Sequence, residues 1–469
     1  MAPGIVPACT PPPQTCLFDS LEYVFNHPIS SPIEQRLAAL GEAGGAVVRK
    51  VGKAEAVFAL VGAVAVAGAT LGASAQDLRF GPVGDGPSAS SDGFDRSFIR
   101  EWQANPPKGF PTASKTNLAP TKAAIARYTG IVANGGFVAV PEGEMEPGLT
   151  HEAVGLLRQR LLASGELRED TSYPTYFGTD LEKAVKRFQA SNGLAPTGIV
   201  DKRTIAALNV PADVRLKQLK ENLTRLTDLS RLVGMKRYVL VNIPAAQIEV
   251  IERDTVVSRH SGVVGKPDRP TPLLRSTISE LNFNPIWTLP PTVIKEDLIP
   301  KGQEMQKSGQ SVLLKYGIDA YDGSGRKLKP ESINWSSAQP LQLSFRQAPG
   351  KENPLGFLKI NFANSNSVYM HDSPKESLFG RNFRAASSGC VRVQNIEQLA
   401  TWLLQGQGGW NEYHVERIKE SGERRNVRLK RPVPLYFVYV TAWATEDGVV
   451  QFRPDVYLKD GVGEIAAAY

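Results

Sequence analysis

Near residue 236 the spacing of apolar residues switches from helical to strand-like. Upstream, 214–233 carries Leu216, Leu219, Leu223, Leu226 and Leu229 on one helical stripe. Downstream, 238–243 and 247–251 are β-branched runs separated by Pro244-Ala245-Ala246, which predicts a hairpin, and 256–264 reads as a further strand. One element type cannot satisfy both periods, so the fold class is α+β and multidomain. The 469 residues, 42% hydrophobic and 22% charged, exceed a single small core and suit two or three domains.

Residues 151–210 form a unit of their own. Val154, Leu157, Leu161 and Leu162 mark a helix that breaks at Gly165, and Leu181, Ala184, Val185 and Phe188 mark a second over 179–191. Asn192-Gly193-Leu194 and Thr197-Gly198-Ile199-Val200 form a turn, after which Asp201 caps a third helix over 202–208. Ahead of this unit, 121–150 reads as a scaffold segment: a helix over 121–134 stopped by Gly135-Gly136, then a short strand over 137–140.

The first 75 residues read as an extension and a secretory signal. Arg49, Lys50 and Lys53 precede an apolar run over 56–71, and Ala73-Ser74-Ala75 supplies small residues for cleavage before Gln76. The run is shorter and less apolar than the ~20 residues of a membrane span, so cleavage is favoured over an uncleaved inner-membrane anchor. The preceding stretch is long for a signal's n-region, so either translation starts near Val47 or Val48 or an extension precedes the signal. Residues 76–120, rich in Gly, Pro and Ser, are expected to be a disordered linker. Export implies a periplasmic location. Cleavage after Ala75 removes Cys9 and Cys16 and leaves Cys390 as the one thiol, which in an oxidising compartment is either inert and buried or a nucleophile.

Fifty-four Lys+Arg against 47 Asp+Glu give a net charge of +7, suited to an anionic partner. The excess is dispersed, and no run interleaves basic with aromatic residues, so nucleic acid is not an expected partner. The mature sequence has no His/Cys cluster with metal-ligand spacing, and no metal or cofactor is expected.

Reactive residue types concentrate between 369 and 395. Cys390 sits in the polar, turn-like Ser387-Ser388-Gly389-Cys390, and His371 is the available base, 19 positions upstream. A free thiol is only a few per cent ionised at neutral pH, so nucleophilic attack needs such a neighbour. Amides around Gly389 and Cys390 suit an oxyanion hole. Between 290 and 365 the periodicity loosens, which predicts a lid or capping insertion; Trp287, Tyr316, Tyr321 and Trp335 either line its pocket or pack its core. His260 and His414 read as surface or packing residues, and His151 belongs to the helical unit. Residues 396–404 predict a helix, 433–442 a closing strand, and 460–469 a frayed tail.

Two resemblances attach to these residues. Leu156-Leu157-Arg158-Gln159-Arg160-Leu161, Ala184-Val185-Lys186-Arg187-Phe188-Gln189, Gly198-Ile199-Val200-Asp201 and Thr204-Ile205-Ala206-Ala207-Leu208-Asn209 resemble the small three-helix peptidoglycan-binding domain. Tyr369-Met370-His371-Asp372-Ser373-Pro374, Leu378-Phe379, Arg384 and Ser387-Ser388-Gly389-Cys390-Val391-Arg392-Val393 resemble the active-site motif of L,D-transpeptidases of the YkuD type, in their large periplasmic subgroup. Ser388 stands where much of that family has His, which leaves His371 as the only nearby imidazole. Early-strand segments such as Val263-Val264-Gly265-Lys266 and Asn284-Pro285-Ile286-Trp287 are similar as well. The resemblance implies a mostly-β catalytic domain over 214–459 with a capping subdomain.

It further implies Cys390 as nucleophile and His371 as proton acceptor and donor, the histidine being oriented by a backbone carbonyl at or near Asp372 or by the Asp372 carboxylate. Ser387, Ser388 and Gly389 would shape the turn, and Tyr369, Trp287 and Arg392 would meet substrate, unless Arg392 instead holds the loop. The implied reaction attacks the third residue of a tetrapeptide stem of peptidoglycan, releases D-alanine, and passes the acyl group to an amine on another stem, a free D-amino acid or a wall-linked protein. Water as acceptor would give an L,D-carboxypeptidase. A cysteine amidase and a non-catalytic wall-binding protein are the rivals.

Overall fold

The computed structural model describes residues 108–168, 173–232 and 236–464. The expected signal peptide and most of the expected linker lie outside them.

Helix α1 (Leu118–Ala133) is followed by α2 (Glu152–Ser164), α3 (Thr179–Ser191) and α4 (Lys202–Leu208). His151 caps α2 by accepting from the Ala153 amide, Gly165 ends it in the left-handed conformation, and Asp201 caps α4 through the Thr204 amide. Val154, Leu157, Leu161, Leu181, Val185, Phe188, Ile205 and Leu208 bury together as this unit's core. The strand expected over 137–140 is absent. Val140 instead exchanges two hydrogen bonds with the Asn209 side chain, and single bridges, Met145 to Val200 and Thr150 to Tyr176, provide the local pairing.

Helix α5 (Ala212–Leu232) leads into strands β1 (Arg237–Asn242), β2 (Gln247–Glu252), β3 (Thr255–Gly265) and β4 (Leu274–Phe283). Then come β5 (Trp287–Thr288), β6 (Ile318–Tyr321), β7 (Lys327–Leu328), β8 (Ser344–Gln347) and β9 (Leu358–Phe362). They are followed by β10 (Met370–His371), β11 (Ala385–Ser387), β12 (Val391–Val393), β13 (Arg425–Val438), β14 (Ala442–Ala444) and β15 (Val450–Phe452). The main sheet runs β11-β3-β12-β10-β9-β4-β13-β1-β2, and β2 pairs again with β3. That last pairing closes the strands into a barrel with β11 on its rim, which removes the long exposed edges an open sheet would carry. Strand β3 makes this possible by changing partners along its length: β2 up to Ser261, β12 at Gly262 and Val263, and β11 at Val264 and Gly265.

The insertion is folded rather than loose. A helical stretch from Pro291 through α6 (Ile299–Lys307) and a short α7 (Val312–Tyr316) pack on a four-stranded sheet of order β5-β8-β6-β7. Trp287, Tyr316 and Trp335 are buried, and Trp335 stacks on Phe345 with centroids 5.9 Å apart. Short, irregular strands carry too little alternation to be legible in the sequence, which is why no clear period marks this segment.

Two expected boundaries move. The segment 108–120 is anchored and not a tether: Thr112 donates its amide (2.9 Å) and hydroxyl (2.7 Å) to the buried carboxylate of Glu249, which also pairs with Arg259 at 2.8 Å. The tail expected to fray from Asp460 is likewise packed there, because Arg225 holds the Asp460 carboxylate at 2.6 Å and the Thr441 hydroxyl donates to it at 2.6 Å. Helix α8 (Ile396–Leu403) and helix α9 (Glu412–Ser421) complete the barrel's outer layer. Among the described residues no helix is long and apolar enough to cross a membrane.

Candidate active site

Strand pairing brings the two reactive residue types together. Strand β10 runs parallel to β12 with His371 opposite Arg392 and Met370 opposite Val391. Paired residues share a face, and alternation carried one step beyond β12 puts Cys390 on the face of Arg392 and therefore of His371. The offset of two residues across adjacent strands separates the Cα atoms of Cys390 and His371 by about 8 Å. The Val391 amide donates to the Tyr369 carbonyl at 3.1 Å and continues the ladder past the strand ends. Both Cys390 and His371 are fully buried.

The imidazole is fixed from behind. His371 Nδ1 lies 2.6 Å from the carbonyl oxygen of Asp372, and a carbonyl only accepts, so Nδ1 carries the hydrogen and Nε2 the lone pair. The Asp372 carboxylate turns away and accepts from the Phe357 amide at 3.0 Å. Burial holds its pKa above the usual carboxylate range. Of the two orienting groups the sequence allows, the backbone carbonyl is the one in contact. His371 Nε2 is buried and makes no hydrogen bond of ordinary geometry, while the Pro354 backbone lies close enough to the ring to favour its charged form. Burial, then the nearby positive charge of Arg392, pull the imidazole pKa down to about 3, so the ring is neutral at physiological pH.

The loop carrying the thiol is held by side chains on both sides. The Ser387 hydroxyl donates to the Cys390 carbonyl at 2.5 Å and accepts from the Gly389 amide at 3.2 Å. That amide, expected in an oxyanion hole, is thus engaged within the loop. Gly389 has φ +113, a conformation closed to other residues without strain. Its carbonyl accepts from Thr271 Oγ1 at 2.8 Å, which in turn accepts from the Gly265 amide at 2.8 Å. Ser388 Oγ lies 3.2 Å from Arg269 Nη1, and the same nitrogen meets the Asp297 carboxylate of the insertion at 3.1 Å. Thr271-Pro272 is similar to the same family's early strands, but the sequence gives neither Thr271 nor Arg269 a role at the site, because that role depends on a contact across more than a hundred residues.

Other expected site residues sort as follows. Tyr369 flanks His371 edge-on at 5.8 Å and is partly exposed, with Lys359 Nζ 4.2 Å from its ring centroid. Arg392 is buried, with one nitrogen 3.4 Å from Ser373 Oγ. Trp287 lies in the insertion's sheet, paired with Gln347, at 2% exposure. His260 is buried, bonded to the Gln394 carbonyl at 3.0 Å, and His414 is exposed at the start of α9. Among the described residues no group of His, Cys, Asp and Glu is arranged to hold a metal ion.

The barrel thus presents an imidazole and a thiol on one face and is joined to a three-helix module. Residues 236–416 match the family model described as L,D-transpeptidase catalytic domain (YkuD), and residues 150–208 match that of a "Putative peptidoglycan binding domain". The chain therefore carries a YkuD L,D-transpeptidase catalytic domain preceded by a peptidoglycan-binding domain. It is 34% identical over 220 residues to a "Putative L,D-transpeptidase" of Haemophilus influenzae, an alignment covering 47% of this chain and 44% of that protein's length. Among solved structures it is similar to the L,D-transpeptidase of Xylanimonas cellulosilytica, with 15% identity, 64% of this chain and 98% of that one covered, and a TM-score of 0.23. It is also similar to the enzyme of Stackebrandtia nassauensis, with 12% identity, coverages of 64% and 96%, and a TM-score of 0.24.

Proposed function

We propose that this chain is a murein L,D-transpeptidase that cross-links stem peptides through a thioester on Cys390. The observation that carries the reading is the β10–β12 register, which sets His371 and Cys390 on one face while Asp372 fixes the imidazole with Nε2 unprotonated. Because the ring is neutral, the thiol proton moves to Nε2 as sulfur attacks the carbonyl of the donor stem's third residue, not beforehand. The C–N bond to the terminal D-alanine then breaks, and the leaving nitrogen takes the proton from Nε2. An acceptor amine attacks the thioester, yields its proton to Nε2, and the expelled sulfur recovers it. Burial of the pair disfavours water as acceptor.

Ser387 and Ser388 set the loop, Gly389 allows its turn, and Tyr369 beside Lys359 offers an amphipathic wall for the stem. In this reading the substrate is peptidoglycan, the peptidoglycan-binding domain holds its glycan, and the acceptor is a neighbouring stem or an amine of a wall-linked protein. The protein works in the periplasm, as the signal-like segment at 49–75 suggests.

Purified protein incubated with disaccharide-tetrapeptide is expected to give cross-linked dimers and free D-alanine, and Cys390→Ala neither. Trimmed monomers alone would make it a carboxypeptidase, and equal dimer yields from both proteins would end the assignment.

A further inference from the structure

Away from Cys390 and His371, a cleft of about 340 Å³ including its open mouth lies between the peptidoglycan-binding domain and the barrel. Gly193 of the helical module, Ala245 after β1, and the approach to β11 line it, together with the guanidinium-bearing Arg384 and Arg453; none of its lining residues is acidic.

Arg384 is the unusual member. Its Nε donates to the Gly262 carbonyl (3.2 Å), Nη1 to the Arg381 carbonyl (2.8 Å) and Nη2 to the Ala245 carbonyl (3.0 Å). Each of these partners is a neutral backbone oxygen, and among the described residues no carboxylate forms an ion pair with it. Three bonds use three of a guanidinium's five N–H donors and leave two. Desolvation pulls its pKa down to about 10, with no acidic group offsetting it. A desolvated cation without a counter-charge is costly, and carbonyl bonds offset only part of that cost. Arg453 adds a second cation: its Nη1 donates to the Ser191 carbonyl of the helical module at 2.8 Å and its Nη2 to Gln451 Oε1 at 3.1 Å. The seam itself is tied, since Asn382 accepts from the Ala195 amide at 3.2 Å.

We infer that this cleft is an oxyanion-binding site, and that a free carboxylate of a peptidoglycan stem peptide occupies it. The choice of a stem carboxylate rests on the function proposed above and on position. One wall belongs to the module that would hold glycan, and the other runs through β11 into the Ser387–Cys390 loop, so a stem directed at the thiol lies along the seam. Inorganic phosphate shares the chemistry and is the competing source.

The test is direct binding, by calorimetry, to the full chain carrying Cys390→Ala, so that turnover plays no part. Disaccharide-tetrapeptide is compared with the same compound amidated at its free carboxylates and with inorganic phosphate. Charge-assisted guanidinium–carboxylate bonds predict roughly tenfold weaker binding on amidation. A similar loss is expected in Arg453→Gln and Arg384→Gln. Should Arg384→Gln fail to fold, Arg453→Gln and amide chemical shifts of Gly193, Ala245 and Ala385 on titration carry the test. Unchanged affinity on amidation and in Arg453→Gln, or shifts confined to other residues, would overturn the site. Phosphate binding there with no preference for the stem would overturn the stem as its occupant. Dimer formation by the wild type, measured separately, tells either failure apart from failure of the transpeptidase reading.

Discussion

Thr271 and Gly389 are joined by a hydrogen bond from the threonine hydroxyl to the glycine carbonyl, 2.8 Å long, across 118 residues of sequence. The same hydroxyl accepts from the Gly265 amide, so one side chain pins the end of β3 to the loop that presents the thiol. Removing it leaves a buried amide and a buried carbonyl without their partner, which costs about 1–3 kcal/mol. Thr271→Ala is expected to lower the rate of dimer formation by at least about tenfold, with Thr271→Ser retaining most of it. Initial rates and thermal melts of both variants check this, and a fully active Thr271→Ala would refute it.

Arg269 bridges Ser388 Oγ and the Asp297 carboxylate, and so couples the Ser387–Cys390 loop to the insertion. The pair is mostly buried, so its loss is felt more than that of a surface ion pair. In Asp297→Asn we expect a fall in kcat larger than the rise in KM, because the loop loses its support while the substrate surface stays. Arg269→Lys, which keeps charge but not the fork, should fall between wild type and Arg269→Ala. Equal kinetics in all variants would show that the bridge does not position the loop.

Burial lowers the pKa of His371 to about 3 and that of His260 to about 4, both from 6.5. Between these values and 6.5 the unfolded chain binds more protons than the folded one, so stability falls as pH falls through that window and is full above it. A tenfold difference in proton affinity between the two states is worth about 1.4 kcal/mol. Denaturant midpoints should therefore drop steadily below pH 6.5, and His260→Gln should flatten the slope. The acid limb of kcat/KM should lie well below pH 6.5, since His371 stays neutral there. Imidazole carbon shifts titrating near 6.5 for either residue would contradict this.

In the insertion, a Cβ at Gly302 would run into the Trp335 ring. The ring is buried and stacked on Phe345, so it cannot retreat without disturbing this subdomain's core. Gly302→Ala is expected to destabilise it by about 1–3 kcal/mol through overpacking, visible as faster proteolysis within 290–365 while the barrel remains resistant. An unchanged cleavage pattern would show that the core accommodates the methyl group.

Much of this architecture is written locally. The three helices of the binding domain follow from their apolar spacing and from caps at His151, Gly165 and Asp201, interactions that span a few residues. The β1–β2 hairpin follows from two β-branched runs and the turn between them. His371 and the Ser-Ser-Gly-Cys turn stand out because few residue types perform such chemistry. What the sequence could not specify were relations between distant segments. These include closure of the barrel by β2 against β3, the choice of the Asp372 carbonyl over its carboxylate, and the commitment of the Gly389 amide to Ser387. They also include the anchoring of residues 108–120 by Glu249 and the two arginines that line one cleft. Periodicity and turn chemistry fix which elements form because they act over a single turn or strand. Register, burial and the pairing of charges are decided only when strands far apart in the chain compete for the same neighbours and for the same exclusion from water.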